Sequence, residues 1–230
     1  MKTTIRDAAI LYLLLLAAPK MLQAQYAYTI NAGTVTLTHY SGPSGAVTIP
    51  GTLAGLPVTS IGNAAFMGNP TVTSVTIPGS ITNIGIDAFY TCNGLTNVIM
   101  SNGVTTFGAG AFGGCTKLAG VTIPASVTNI GQSAFASCIS LTNFTLPLGI
   151  TSLAASVFSG CSALTSVTIP GSVTSVEASA FNNCSSLTNL TIPAGVTSIG
   201  DSAFSGCAKL ASAIIPNSIT RSSPEINLVL

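Results

Sequence analysis

The sequence predicts a β-rich repeat solenoid of 23-residue coils, and three observations carry that prediction. Phenylalanine recurs at Phe66, Phe89, Phe112, Phe135, Phe158, Phe181 and Phe204, every step being 23 residues. Cysteine follows three residues behind it at Cys92, Cys115, Cys138, Cys161, Cys184 and Cys207. Between a cysteine and the next phenylalanine lies a run such as Leu164-Thr-Ser-Val167-Thr-Ile169-Pro170, in which apolar and hydroxyl side chains alternate. A fixed step without insertions means stacked copies of one unit, none of which can bury its apolar side alone. The Phe and Cys series are therefore expected to be structural core.

The N-terminus differs in kind. Lys2 and Arg6 precede an apolar run from Ala8 to Ala18, 11 residues long, followed by Leu22-Gln23-Ala24. That order is the one a secretory signal peptide shows. The run is too short to span a bilayer, and Pro19 and Lys20 would interrupt a longer helix. Residues 1–24 are expected to be a signal peptide cut after Ala24, with Ala17-Ala18 as the alternative cut. The expected location is secreted or cell-surface, without stable membrane insertion after cleavage. No Cys stands at the cut for lipidation, and the apolar end of the chain is too short to hold a membrane.

Residues 25–46 read as a β-hairpin cap. Tyr26-Ala-Tyr28-Thr-Ile30 alternates, Asn31-Ala-Gly33 turns, and Thr34 to Tyr40 alternates again. An open solenoid end exposes both core and strand edge, and a hairpin here is expected to cover them. Gly42-Pro43-Ser44-Gly45 then leads into the first repeat-like strand, Ala46 to Pro50. Pro50 to Phe66 is 16 residues where Pro78 to Phe89 is 11, so the first coil carries a five-residue insertion around Thr52 to Pro57.

Residues 47–220 form the solenoid proper, about seven coils and a partial one. In a regular coil Leu164, Val167 and Ile169 face one way while Ser166 and Thr168 face the other, the alternation of a half-buried strand. Pro170 cannot donate to a ladder, so the strand stops there; Pro78, Pro124, Pro147, Pro193 and Pro216 repeat this, with Ser101 the exception. Val173 and Val176 then offer a second short strand. Asp87, Ser133, Ser156, Ser179 and Ser202 stand two residues before a Phe, where a side-chain oxygen caps a helical turn, so Ala-Phe-x-x-Cys is expected to be a one-turn helix or 3₁₀ segment. Gly62, Gly85, Gly108, Gly131 and Gly200 share a position that Ala154 and Glu177 also occupy, which favours close approach of coils over a required positive φ. Coils stacked at strand spacing give a rod roughly 35 to 40 Å long. Residues 221–230 break the pattern and are expected to be an irregular tail, either a minimal cap or the truncated end of a longer gene.

Composition fits this reading and narrows the function. The chain is 47% hydrophobic and 5% charged, with no Trp. After residue 24 only Lys117, Lys209 and Arg221 face Asp87, Glu177, Asp201 and Glu225. Nucleic-acid binding thus has no electrostatic support, and lack of Trp weakens stacking on sugars, for which Tyr could substitute.

The pattern Leu-Thr-Ser-Val-Thr-Ile-Pro-x-Ser-Val-Thr-x-Ile-Gly-x-x-Ala-Phe-x-x-Cys resembles the BspA-like leucine-rich repeat of bacterial surface and secreted proteins, over about residues 47 to 220. The leader Tyr28-Thr-Ile-Asn-Ala-Gly-Thr-Val-Thr-Leu37 also resembles leaders of that family. The resemblance implies a right-handed leucine-rich repeat solenoid with a strand-lined face. By analogy it implies adhesion or ligand binding at cell surfaces, since a fold does not fix a function.

No constellation of catalytic residues is visible, and no cofactor or metal is expected. Stacked cysteines have Cα atoms at bridging distance but parallel Cβ vectors, so a ladder of free thiols is expected instead of three disulfides. A line of sulfurs does not make a zinc tetrahedron. Gly108-Ala-Gly110-Ala-Phe-Gly113 matches the dinucleotide fingerprint, yet the next acidic residue is Glu177. Gly131-Gln-Ser133 and Gly200-Asp-Ser202 approach the G-x-S-x-G nucleophile pattern and miss it. His39, the one histidine, has no carboxylate near it and is read as a cap residue. Asn143, Asn183 and Asn189 begin glycosylation sequons, which carry no meaning in a bacterial protein.

The expected function is non-catalytic binding of a macromolecule, protein or glycan, through outward strand positions Asn143, Thr145, Ser166, Thr168, Asn189 and Thr191. One alternative is a hydroxyl array that orders water or binds glycan, including Ser74, Thr76 and Thr122 but interrupted at Asn97, Ile99, Gly120 and Ile214. The other is an enzyme with a site built across coils, for which paired titratable groups are missing.

Overall fold

The computed structural model describes residues 24–210, 212–214 and 217–222. The signal peptide reading thus lies outside the described residues, as do the last eight residues of the expected tail. Between them runs a solenoid with two parallel sheets and a turn side. The first-strand sheet holds Gly45–Thr48, Val72–Ile77, Asn97–Met100 and Gly120–Val121, then a separate set of Asn143–Thr145, Ser166–Thr168, Asn189–Thr191 and Ser212–Ile214. The second-strand sheet holds Leu56–Ile61, Asn83–Ile84, Thr106–Phe107 and Asn129–Ile130, then separately Ser152–Leu153, Ser175–Val176, Ser198–Ile199 and Arg221–Ser222. The register is one coil per step, for example Ser74 against Asn97 and Val75 against Val98. Arg221–Ser222 still pairs with Ser198–Ile199, so the ladder runs two residues beyond the expected start of the tail.

Alternation in sequence becomes alternation in burial: Ser166, Val167 and Thr168 are exposed, buried and exposed. The seven phenylalanines are all buried and stack in one column, with ring centroids 4.7 to 6.0 Å apart between successive coils. Tyr40 stacks on Phe66 at 4.8 Å and Tyr26 packs on Tyr40, so two tyrosines close the column at its N-terminal end.

The hairpin Tyr26–Asn31 with Thr34–Tyr40 turns through Ala32 and Gly33, both at positive φ as a tight hairpin turn requires. It pairs in parallel with Leu56–Ile61 and so covers the edge of the second-strand sheet only. The outer edge of Gly45–Thr48 has no strand partner among the described residues. This corrects the expectation that the hairpin covers the whole strand edge: its outgoing strand runs on from the second-strand side, and the chain must cross over before the first strand begins. The insertion forms its own small antiparallel pair, Thr52–Leu53 against Leu56–Pro57.

The Ala-Phe-x-x-Cys segment is not a one-turn helix. From Gln25 onward the described residues contain no helix and no 3₁₀ turn. The expected caps are instead left-handed, with φ of 54° at Asp87, 56° at Ser133 and Ser156, 57° at Ser179 and 55° at Ser202. A second left-handed residue stands two positions after each Phe, as at Thr91, Ser137 and Asn183. The reason is the stacking itself. The N–H groups of Asp87, Phe89 and Thr91 donate to the next coil at Ala109, Ala111 and Gly113, each at 2.8 Å, while those of Ala88, Tyr90 and Cys92 close turns within the coil. A helix would direct all of them along its own axis and forfeit the inter-coil bonds. The shared glycine position behaves as close approach requires: Gly131 lacks positive φ, and a Cβ there would lie 2.6 Å from the Ala109 nitrogen.

Candidate functional site

The first-strand sheet brings Asn143, Thr145, Ser166, Thr168, Asn189 and Thr191 onto one exposed face, because Phe144, Val167 and Leu190 between them are drawn into the core. Ser166 Oγ donates to Asn143 Oδ1 at 2.7 Å, and Thr165 Oγ1 donates to the same oxygen at 3.2 Å, which fixes the orientation of that amide. Thr165 Oγ1 also reaches the Thr142 carbonyl at 3.0 Å, as Thr96 reaches Thr73 at 2.9 Å, so one column of hydroxyls is spent on the backbone. The hydroxyls of Thr145, Thr168 and Thr191 make no hydrogen bond among the described residues and form an unspent column beside it. The sheet also exposes Ile99, at 54%, where the hydroxyl array is interrupted.

Two adjoining depressions of about 520 and 510 Å³ open where the first-strand sheet is divided. They share Val121, Thr122 and Asn143, and none of the residues lining either one is charged. Val121, whose counterparts elsewhere are buried, is only half-buried here, as are Ile123 and its counterpart Met100, and Leu148 at the rim is 82% exposed. This furrow was not read from the sequence; the one signal was Gly120 in place of a hydroxyl residue. A second missed feature lies on the other sheet, where Thr59, Thr82, Thr105, Thr128, Thr151, Thr174, Thr197 and Thr220 repeat in every coil. Most of their hydroxyls donate to the carbonyl one coil back, as Thr105 does to Thr82 at 3.0 Å.

The thiols stand on the turn side, facing inward. All six are free, and five are buried, with Cys207 half-buried. Each donates to the carbonyl of the Phe 26 residues earlier, from Cys92 to Phe66 at 3.0 Å through Cys207 to Phe181 at 3.2 Å. That bond explains why a small donor suits this position. Burial pushes the Cys92 and Cys207 thiols up to about 11 and Cys161 to about 12, with Cys115, Cys138 and Cys184 also raised. Such thiols are poor nucleophiles and poor metal ligands at neutral pH.

The remaining sequence candidates are scattered. His39 lies exposed on the hairpin opposite Ala27, away from any carboxylate on its own pair of strands. Gly108 to Gly113 form turns with no helix to receive a phosphate. Glu177 accepts from Ser175 Oγ at 3.0 Å on the second-strand sheet, a carboxylate with hydroxyl neighbours and, among the described residues, no basic partner. Among the described residues no cluster of three His, Cys, Asp or Glu is placed to hold a metal, and no helix is long and apolar enough to cross a membrane.

The fold and the repeat agree with known proteins. A model of the BspA type leucine rich repeat region matches in six copies over residues 59–188 and 151–226. Among solved structures, a leucine rich cell surface protein from Faecalibacterium prausnitzii is 40% identical with a TM-score of 0.75, over 82% of this chain and 52% of that one. The chain thus spans about half the length of that relative. A leucine rich repeat protein from T. pallidum is 31% identical with a TM-score of 0.73, over 81% of this chain and 88% of that one. A leucine-rich repeat protein from Bacteroides ovatus is 29% identical with a TM-score of 0.62, over 85% and 59%. No curated protein sequence matches the chain. The 23-residue period, the buried Phe and Cys columns and these matches together make the chain a member of the BspA-type leucine-rich repeat family.

Proposed function

We propose that the protein is exported and binds a macromolecular partner, protein or glycan, at the cell surface through its first-strand face, without catalysis. The observation that carries this reading is the unspent hydroxyl column of Thr145, Thr168 and Thr191, held rigid beside the fixed Asn143–Ser166 pair. Short side chains already ordered lose little entropy on binding. The description of the F. prausnitzii relative as a cell surface protein supports the location. With no charge on the face, affinity should depend little on salt.

The test is a pull-down with purified protein against surface extracts of host and neighbouring cells, followed by titration of the partner recovered. Replacing Thr168 and Thr191 by Arg should leave the fold intact, since both are exposed, and weaken binding by at least about tenfold. Lys117→Ala, in an exposed turn, should bind as wild type. The reverse pattern would place the binding face on the turns.

A second reading draws on the threonine column of the second-strand sheet, which repeats in every coil and is interrupted only between Thr128 and Thr151. A regular hydroxyl array at strand spacing can order water. Thermal hysteresis of a solution of the protein, abolished by Thr105→Lys with Thr174→Lys, would favour it.

A further inference from the structure

The structure assigns a hinge to the middle of the solenoid: the coil of Phe135 and the coil of Phe158 are joined on the turn side, unpaired on the second-strand side and held by a single backbone bond on the first. Every regular bond of the second strand is missing at this one boundary. The N–H of Thr82, Thr105 and Thr128 donates to the threonine one coil back at 2.8 to 3.0 Å, and Thr174, Thr197 and Thr220 do the same, but Thr151 does not reach Thr128. Gly108 and Gly131 donate to Ile84 and Phe107, and Glu177 and Gly200 to Leu153 and Val176, whereas Ala154 does not reach Ile130.

The first strand parts at the same boundary. No ladder pairs Gly120–Val121 with Asn143–Thr145, whereas every other neighbouring pair of first strands is joined. One backbone bond remains on that side, Thr142 N–H to the Ala119 carbonyl at 3.3 Å, with the Thr142 hydroxyl at 3.5 Å from the same oxygen. The turn side is unbroken: Ser133, Phe135 and Ser137 donate to Ala155, Val157 and Ser159 at 3.0, 3.0 and 2.7 Å, and Cys161 Sγ reaches the Phe135 carbonyl at 3.1 Å.

The cause is extra aromatic volume. Phe107 and Phe144 stand where most other coils place Ile or Val, and both rings meet Phe135 edge-on, at 6.1 and 4.9 Å. Phe144 also meets Phe158 at 4.7 Å, and the Phe135–Phe158 step is the widest of the column at 6.0 Å. Phe144, lying against both rings, wedges the strand sides apart while the turn side serves as pivot, and Phe107, one coil earlier and still paired with Ile130, backs Phe135 from behind. In a stack held by nearest-neighbour contacts, the weakest junction is where the rod flexes, and flexing there changes the width of the strand-face furrow.

Native-state amide exchange of the full chain tests this. Thr142 and Thr188 donate equivalent bonds of 3.3 and 3.2 Å, one across the hinge and one inside a block. The Thr142 amide is expected to exchange at least about tenfold faster, while Phe135 and Ser137, across the same boundary on the turn side, exchange as slowly as Phe112 and Phe158. Equal rates for Thr142 and Thr188 would overturn the hinge, and fast Phe135 and Ser137 would replace it by separation of whole blocks. In a variant with Phe107→Ile and Phe144→Val, Thr142 should slow toward Thr188; no slowing would remove the wedge as the cause.

Discussion

The turn side and the strand sides of the coil hold the same stack in different ways. On the turn side every inter-coil backbone bond from Ala64 to Asn183 is present, the rings stack without a gap, and each thiol adds a bond to the coil before. On the strand sides the inter-coil ladders pair one to four residues and both lapse at one boundary. Cohesion and presentation are thus separated around the coil. The side that holds the rod together varies least, and the strand faces are left to carry exposed, variable residues.

The largest expected effect comes from the thiols. Six thiols stay protonated in the folded chain up to about 11 or beyond, whereas they ionise near pH 9 once exposed. Between those values the folded state binds more protons. Stability is therefore full below about pH 9 and falls as pH rises, by about 1.4 kcal/mol per pH unit for each thiol involved. Denaturant midpoints measured from pH 7 to 11 should show this fall, and Cys138→Ala should make it shallower. A flat profile would mean that the turn side is not closed to solvent.

Next in size is the contrast between two core positions. Phe135→Ala, on the turn side, should cost roughly 3 to 5 kcal/mol because its ring is shared by neighbouring coils. Val167→Ala, in a strand, should cost about 2 kcal/mol. Chemical denaturation of both variants measures the difference, and equal costs would erase the distinction between the two sides.

The smallest effect concerns backbone strain. Thr91 is β-branched at a φ of 54°, where Gly68, Gly114 and Gly160 stand in other coils. Thr91→Gly should change stability by no more than about 1 kcal/mol and in the stabilising direction, the relief of left-handed strain outweighing the added freedom of the unfolded chain. A clear loss in thermal melting would show that the Thr91 hydroxyl bond to Tyr90, at 2.8 Å, outweighs the strain.

The period of Phe66 to Phe204 and the alternation around Val167 determined the solenoid, its core columns and which strand residues face outward. Such features follow from local rules of burial repeated in register, so they are visible without coordinates. The same regularity misled at Ser133 and Ser179. A polar residue before an Ala-Phe pair looks like a helix cap, and only neighbouring coils, which take up alternate N–H groups, decide that the backbone turns left-handed instead. The furrow and the hinge were likewise undecided by sequence. Phe107 and Phe144 are 37 positions apart in the chain and conspicuous only as departures from Ile and Val. That their rings converge on Phe135, and that Phe144 parts two coils on the strand sides while the turn side stays closed, depends on distances across the stack that no single repeat encodes.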